Sequence, residues 1–300
     1  MKFAITGGET RIVSFREANM KRATFPPLIF LLLVLNVAAQ TDGARTFRER
    51  GLRHYESGRY REAVEAFREA IRLKPDYALA HNDLGVVYGR IGRYVESLEA
   101  HRRAIHLKPD FAEAHYNLGS TYYRLERLEE AVAPLSQAIR LKPEYAWAHN
   151  NLGSVLFDSG RHADAVVSYQ QAVRHMPQMT QAHILLASAY AQLNRYGDAI
   201  ISLKRAIRLE PNHAEAHNSL GVAYYLAGRH QDAAECFCQA IRIRPSYSAA
   251  HFNMGAINVA RHERDAALVE YKLLMLLDPD LAEKLHDGLY RGMLLKIRAR

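Results

Sequence analysis

Seven prolines constrain this chain more than any other feature: Pro75, Pro109, Pro143, Pro177, Pro211, Pro245 and Pro279 follow one another at a constant interval of 34 residues. Proline ends a helix and disfavours helix in the residue before it, so the chain is cut into units of one length. Two further columns keep the same register. Gly85, Gly119, Gly153, Gly221 and Gly255 share one slot, taken once by Ala187; Ala63, Ala131, Ala165, Ala199, Ala233 and Ala267 share another, taken once by Ser97. Such an interval, held over residues 44–279, belongs to a one-dimensional stack in which each unit packs on its neighbours, not to a globule around one core.

Each unit contains two helical periods. In residues 112–145, Leu118, Tyr122 and Leu125 fall on one helical face, and Ala131, Leu135, Ala138 and Ile139 fall on another after the phase changes. The turn between the helices carries Gly58, Gly92, Gly160, Gly228 or Asn194, which tolerate the left-handed conformation that closes a helix. After the prolines stand Asp76, Asp110, Asn212, Ser246 and Asp280, expected to cap the following helix; Asp110 with Glu113, Asn212 with Glu215 and Asp280 with Glu283 have the spacing of a capping-box variant. The units read 44–77, 78–111, 112–145, 146–179, 180–213, 214–247 and 248–281. Residues 280–300 are expected to form a helix that covers the open end of the stack with Leu281, Leu285, Leu289 and Met293, and carries Arg291, Lys296, Arg298 and Arg300 toward its C-terminus.

Ahead of the repeats lies the segment MKRATFPPLIFLLLVLNVAAQ, opened by Met20. Lys21 and Arg22 make a positive start, Leu28–Leu35 is an unbroken apolar run, and Val37, Ala38 and Ala39 are small residues before Gln40. That is the anatomy of a secretory signal. The run is shorter than the roughly 20 apolar residues of a membrane-spanning helix. Residues 20–39 are therefore expected to direct export, to the periplasm or outside the cell, with residues 1–19 a dispensable extension; the alternative is a short membrane anchor through residues 25–39.

The repeated unit, with glycine in its first helix, alanine in its second and a closing proline, resembles the tetratricopeptide repeat over seven consecutive copies. The resemblance implies an all-α, right-handed superhelical solenoid of antiparallel helix pairs, whose first helices line a concave groove and whose second helices form the convex back. The AHNNLG-like wording is similar to the repeat region of the O-linked N-acetylglucosamine transferases, whose catalytic half is absent. One departure lies in the aromatic slot early in the first helix, which holds Phe47 and then His81, His115, His149, His183, His217 and His251.

Little in the chain speaks for catalysis. The histidine column runs across successive helices about 8–10 Å apart, whereas a metal lies near 2 Å from each ligand; the histidines are expected to pack and hydrogen-bond between units. Cys236 and Cys238 lie two apart in a helix, about 200° around it, and are expected to be free packing residues. Gly-rich phosphate loops, His-Glu-x-x-His and G-x-S-x-G do not occur, so neither an enzyme nor a cofactor or metal is expected. The formal charge is +8, and after residues 1–39 the remaining 35 basic and 30 acidic residues leave +5, spread without a basic block. Nucleic acid is not an expected partner.

The resemblance also places binding residues. The two residues before each Leu-Gly pair are implied to face the groove: Asn82-Asp83, Tyr116-Asn117, Asn150-Asn151, Ile184-Leu185, Asn218-Ser219 and Phe252-Asn253. The transferase repeats use asparagines at the second of these slots, matched by Asn117, Asn151 and Asn253 and interrupted by Asp83, Leu185 and Ser219. Carboxamides donate and accept together, so this ladder is expected to grip the backbone of an extended peptide. Tyr123, Trp147, Phe157 and Tyr225 are implied to add aromatic anchors beside Tyr116 and Phe252, with Arg90 and Arg124 supplying positive charge. The carboxylate clamp of chaperone-binding members is not matched, since Val86, Ser120 and Ser154 hold its slots. The expected function is a non-enzymatic scaffold that binds a peptide or protein segment in its groove; the alternatives are a structural protein that self-associates through the repeat ends or the C-terminal helix, or a membrane-anchored assembly factor.

Overall fold

Every interval between prolines folds as two antiparallel helices joined by a turn whose tightest residue has a positive φ. The computed structural model describes the backbone of residues 27–291 and the side chains of residues 40–288. The first helices of the units are α1 (Pro27–Glu56), α3 (Ala78–Arg90), α5 (Ala112–Arg124), α7 (Ala146–Asp158), α9 (Thr180–Gln192), α11 (Ala214–Leu226) and α13 (Ser248–Ala260). The second helices are α2 (Tyr60–Leu73), α4 (Tyr94–Leu107), α6 (Leu128–Leu141), α8 (His162–His175), α10 (Tyr196–Leu209), α12 (His230–Ile243) and α14 (Arg264–Leu277), and α15 (Pro279–Arg291) follows. Among the described residues there is no strand. The positive φ falls on Gly58, Gly92, Gly160, Gly228 and Asn194, and in the same slot on Glu126 and His262.

The curvature of the stack follows from which helices meet. Each odd-numbered helix up to α13 touches the next odd-numbered one, whereas no two even-numbered helices touch. The odd layer therefore lies on the inside of the bend and the even layer on the outside. The two layers close on each other because the glycine of the first helix leaves room for a large side chain of the second. Tyr169 fills the space at Gly153 and Phe237 that at Gly221, where an added Cβ would come within 2.7 and 2.5 Å of the rings. The slot of these rings holds Phe67, His101, Leu135 and Leu203 in other units, all 2% exposed or less. Burying each apolar side chain there contributes roughly 2–3 kcal/mol. The alanine column of the second helices is fully buried, and Ser97, its exception, donates its hydroxyl to the Gly85 carbonyl at 2.7 Å.

The acidic and amide residues after the prolines do not cap the next helix. At α15, which opens on Pro279 itself, Asp278 and not Asp280 accepts from a backbone N–H, that of Leu281 at 3.1 Å. Elsewhere the capping position falls one residue later, on Tyr77, Phe111, Tyr145, Met179 or Tyr247, without a side-chain bond, or on His213, which accepts from the Ala216 N–H at 3.2 Å. The reason is the turn after each proline, in which the capping residue bonds back to the residue before proline, as Tyr77 N–H does to Lys74 O at 3.1 Å. That turn brings the Lys74, Lys108 and Lys142 ammonium groups 5.1–5.4 Å from the rings of Tyr77, Phe111 and Tyr145.

At the C-terminal end, α15 packs on α13 and α14. Ala282 and Leu285 are fully buried, Leu281 is half-buried, and Leu285 occupies the space at Gly255. The expected contacts of Leu289 and Met293 and the charges at Arg291, Lys296, Arg298 and Arg300 lie outside the described side chains. At the other end, residues 27–39 continue α1 without a break; residues 1–26, with Met20 and the start of the expected export signal, lie outside the described residues. Among the described residues no helix is long and apolar enough to cross a membrane.

Candidate protein-binding groove

The inner helices carry the residues implied to form a groove, and their packing divides those residues into two groups. Asn82, Asn150, Asn218, Phe252 and Asn253 are buried, none more than 8% exposed. They do not face solvent, because neighbouring inner helices approach closely enough for their side chains to meet. The Asn117 amide donates to Asn82 Oδ1 at 3.0 Å and the Asn253 amide to Asn218 Oδ1 at 2.9 Å, each across 35 residues, one position beyond the repeat. The same step joins Arg48 to Asp83 at 2.5 Å and the Tyr123 hydroxyl to Asp158 at 2.7 Å, while the Asn151 amide reaches Ser120 Oγ at 2.9 Å. The asparagine ladder thus fastens one unit to the next. Asn117, Asn151 and Asn253 each spend an amide N–H on the neighbouring unit rather than holding it out for a peptide backbone.

The ladder leaves one buried acceptor unpaired. Asn150 Oδ1 is buried without a hydrogen-bond partner, since Leu185 stands 35 residues on, where its counterparts have asparagine. A buried acceptor left unpaired costs about 1–3 kcal/mol, which marks the step between α7 and α9 as the weak point of the inner layer.

The exposed group is smaller. Trp147 is 48% exposed on α7, and Leu79, in the corresponding slot of α3, is 37% exposed. Arg90 and Arg124 are exposed at the ends of α3 and α5. Their slot runs on as Asp158, Gln192, Leu226 and Ala260, from cationic to apolar along the stack, and Leu226 is 39% exposed. Between these limits the rings are half-buried. Tyr116 lies 5.0 Å from Tyr145, Phe157 lies 4.9 Å from His162, and Tyr225 lies 4.9 Å from His230. Burial and the bond to Asp158 push the Tyr123 phenol up to about 12, so it remains a donor. Leu79, Asp158 and Leu226 were not singled out in the sequence, although stepping by 34 from Trp147 or Arg90 reaches each of them.

The histidine column has a specific task. His81, His115, His149, His183, His217 and His251 each place Nε2 2.8–3.1 Å from the carbonyl of the proline six residues earlier. An Nε2–H donor there secures the loop between two units, which an aromatic hydrocarbon in the slot could not do. Among the described residues no group of three or more potential ligands could hold a metal. Cys236 and Cys238 are free, and burial pushes the Cys236 thiol up to about 11, away from nucleophilic chemistry.

Residues 30–242 match a family model described as the cilia and flagella-associated protein 70 C-terminal domain, a tetratricopeptide-repeat family. No curated protein matches the chain. Among solved structures, YrrB, a tetratricopeptide-repeat protein with an unusual peptide-binding site, is similar at 24% identity and a TM-score of 0.56, over 62% of this chain and 96% of that one. PilF of Pseudomonas aeruginosa is 22% identical with a TM-score of 0.61, over 69% and 94%. PilW, a type IV pilus biogenesis factor, is 23% identical with a TM-score of 0.62, over 69% and 96%. These likenesses show the solenoid fold.

Proposed function

Because the chain belongs to the family of the cilia and flagella-associated protein 70 C-terminal domain, we propose that it is a non-enzymatic scaffold whose inner surface binds an extended segment of a protein partner. The observation that carries this reading is Trp147, half-exposed on an inner helix beside the ladder's one unpaired acceptor, Asn150 Oδ1. An indole held in water loses the stabilisation that burial would supply, and burying it under a partner restores that stabilisation where the inner layer is least satisfied. Arg90 and Arg124 suit an acidic stretch toward the N-terminal end, and Leu226 suits an apolar residue further along. YrrB, whose fold is similar, also carries a peptide-binding site.

The same proposal places the protein outside the cytoplasm, on the strength of the positive start, apolar run and small residues of 20–39. Cleavage before Gln40 would leave residues 40–56 as the first helix of the stack. Sequencing the N-terminus of the native protein tests this: a start at Gln40 supports export, and a peptide from residues 20–39 in the mature protein refutes cleavage.

Binding is tested by photo-crosslinking in the native host with a probe at Trp147 and a matched probe at Arg140 on the convex side. Capture of one discrete protein from position 147 alone is the expected result. Equal capture from both positions, or none from 147, overturns the groove assignment.

A further inference from the structure

The four outward positions of a second helix are spaced three, four and three residues apart, and in six units at least two of them are charged or imidazole-bearing. In α2 they are Glu62, Glu65, Glu69 and Arg72; in α8, Asp164, Val167, Gln171 and Arg174; in α12, Asp232, Glu235, Gln239 and Arg242. In α14 alone all four are apolar: Ala266, Val269, Leu273 and Leu276. Val269 is 57% exposed, Leu273 39% and Leu276 84%, with Leu277 at 38% beside them. The inner side of the helix is already engaged, for Leu274 is fully buried and Glu270 Oε2 lies 2.6 Å from His251 Nδ1. α15 covers the end of the stack without covering this stripe.

We propose that α14 is the contact through which two copies of this chain associate, stripe against stripe. A three-four-three apolar seam is the pattern by which two helices pack side by side. The exposed side chains of the stripe leave on the order of 400 Å² of apolar surface in water, within the range of the largest, often functional, patch on a monomer. Two copies facing each other would remove about 800 Å² of it together, the size of a weak, reversible contact. The symmetric arrangement follows from the rest of the chain: α2, at the opposite end, presents the charged set Glu62, Glu65, Glu69 and Arg72, so a head-to-tail contact has no apolar counterpart. A self-complementary patch closes as a twofold pair. The concave side stays open in such a pair, since the stripe lies on the outer layer, so this inference stands independently of the groove.

Sedimentation of the full chain over a hundredfold range of concentration tests it. The wild-type mass is expected to rise from one chain to two. Leu273→Gln with Leu276→Arg installs the residues that α6, α8 and α12 carry in these slots, and is therefore compatible with the fold; it is expected to weaken association at least tenfold with an unchanged helical spectrum. A photo-crosslinking probe at Leu276 is expected to join two copies of α14. A wild-type mass that stays at one chain, association that survives the double substitution, or a probe that captures only another protein or residues 292–300 of its own chain would overturn the proposal.

Discussion

Leu185 lies 35 residues after Asn150, in the relation that Asn117 has to Asn82 and Asn253 has to Asn218, and its side chain has no N–H to donate. One apolar residue therefore leaves a buried carboxamide of the inner layer without the partner that its counterparts have. Asn218→Ala removes the acceptor of the buried Asn253 amide and is expected to cost about 1–3 kcal/mol. Asn150→Ala removes an acceptor that is already unpaired and is expected to cost at least 1 kcal/mol less. Urea unfolding of the two variants compares them directly, and equal losses would contradict the account of the unpaired acceptor.

His101 makes stability depend on pH. It occupies the slot of Phe67 and Leu135, its Nδ1 lies 3.0 Å from Asn82 Oδ1, and burial lowers it from 6.5 to about 3. Burial also lowers His81, His149 and His183. Below pH 6.5 the unfolded chain binds protons that the folded chain refuses, so stability falls with pH from 6.5 towards 3 and is complete above it. From His101 alone the loss at pH 5 is about 2 kcal/mol. His101→Leu, the residue of Leu135 and Leu203, is expected to flatten the pH dependence of the melting temperature between 7 and 5; an unchanged slope would assign it elsewhere.

Gly153→Ala is expected to destabilise by about 1–3 kcal/mol through overpacking, because its Cβ would meet the Tyr169 ring at 2.7 Å. The fifth unit already has Ala187 in that slot, opposite Leu203. Combining Gly153→Ala with Tyr169→Leu should then recover part of the loss, and thermal melts of the single and double variants provide the check.

For the groove, Trp147→Ala is expected to weaken capture of the partner at least tenfold, about 1.4 kcal/mol, with unchanged helicity. Arg90→Glu with Arg124→Glu should weaken it further at low salt than at high salt, as exposed charges are screened. Retained affinity in all these variants, measured by titration calorimetry with the captured partner, would sink the assignment.

Much of the fold was legible because a proline, a glycine and an alanine recurring at 34 residues act through local rules: helix ends, close approach and small core residues. The site was less legible. Asn82 and Trp147 sit one and two positions from the repeated histidine on equivalent helices, yet one is 6% exposed and the other 48%, because exposure depends on how near the next inner helix comes. Likewise Asp76 and Asp110 have the composition of caps, and the post-proline turn moved the capping position past them.

The sequence by itself determined the helix pairs, their order, the turns at Gly58, Gly92, Gly160 and Gly228 and the buried alanine column, since each follows from the conformational preference or size of single residues. Only the tertiary structure decided that Asn117 and Asn253 spend their amides on neighbouring units and that the outer stripe of α14 stays bare. The physical reason is distance: a hydrogen bond forms or fails within a few tenths of an ångström, and the curvature that brings residues 35 apart into that range is a property of the whole stack.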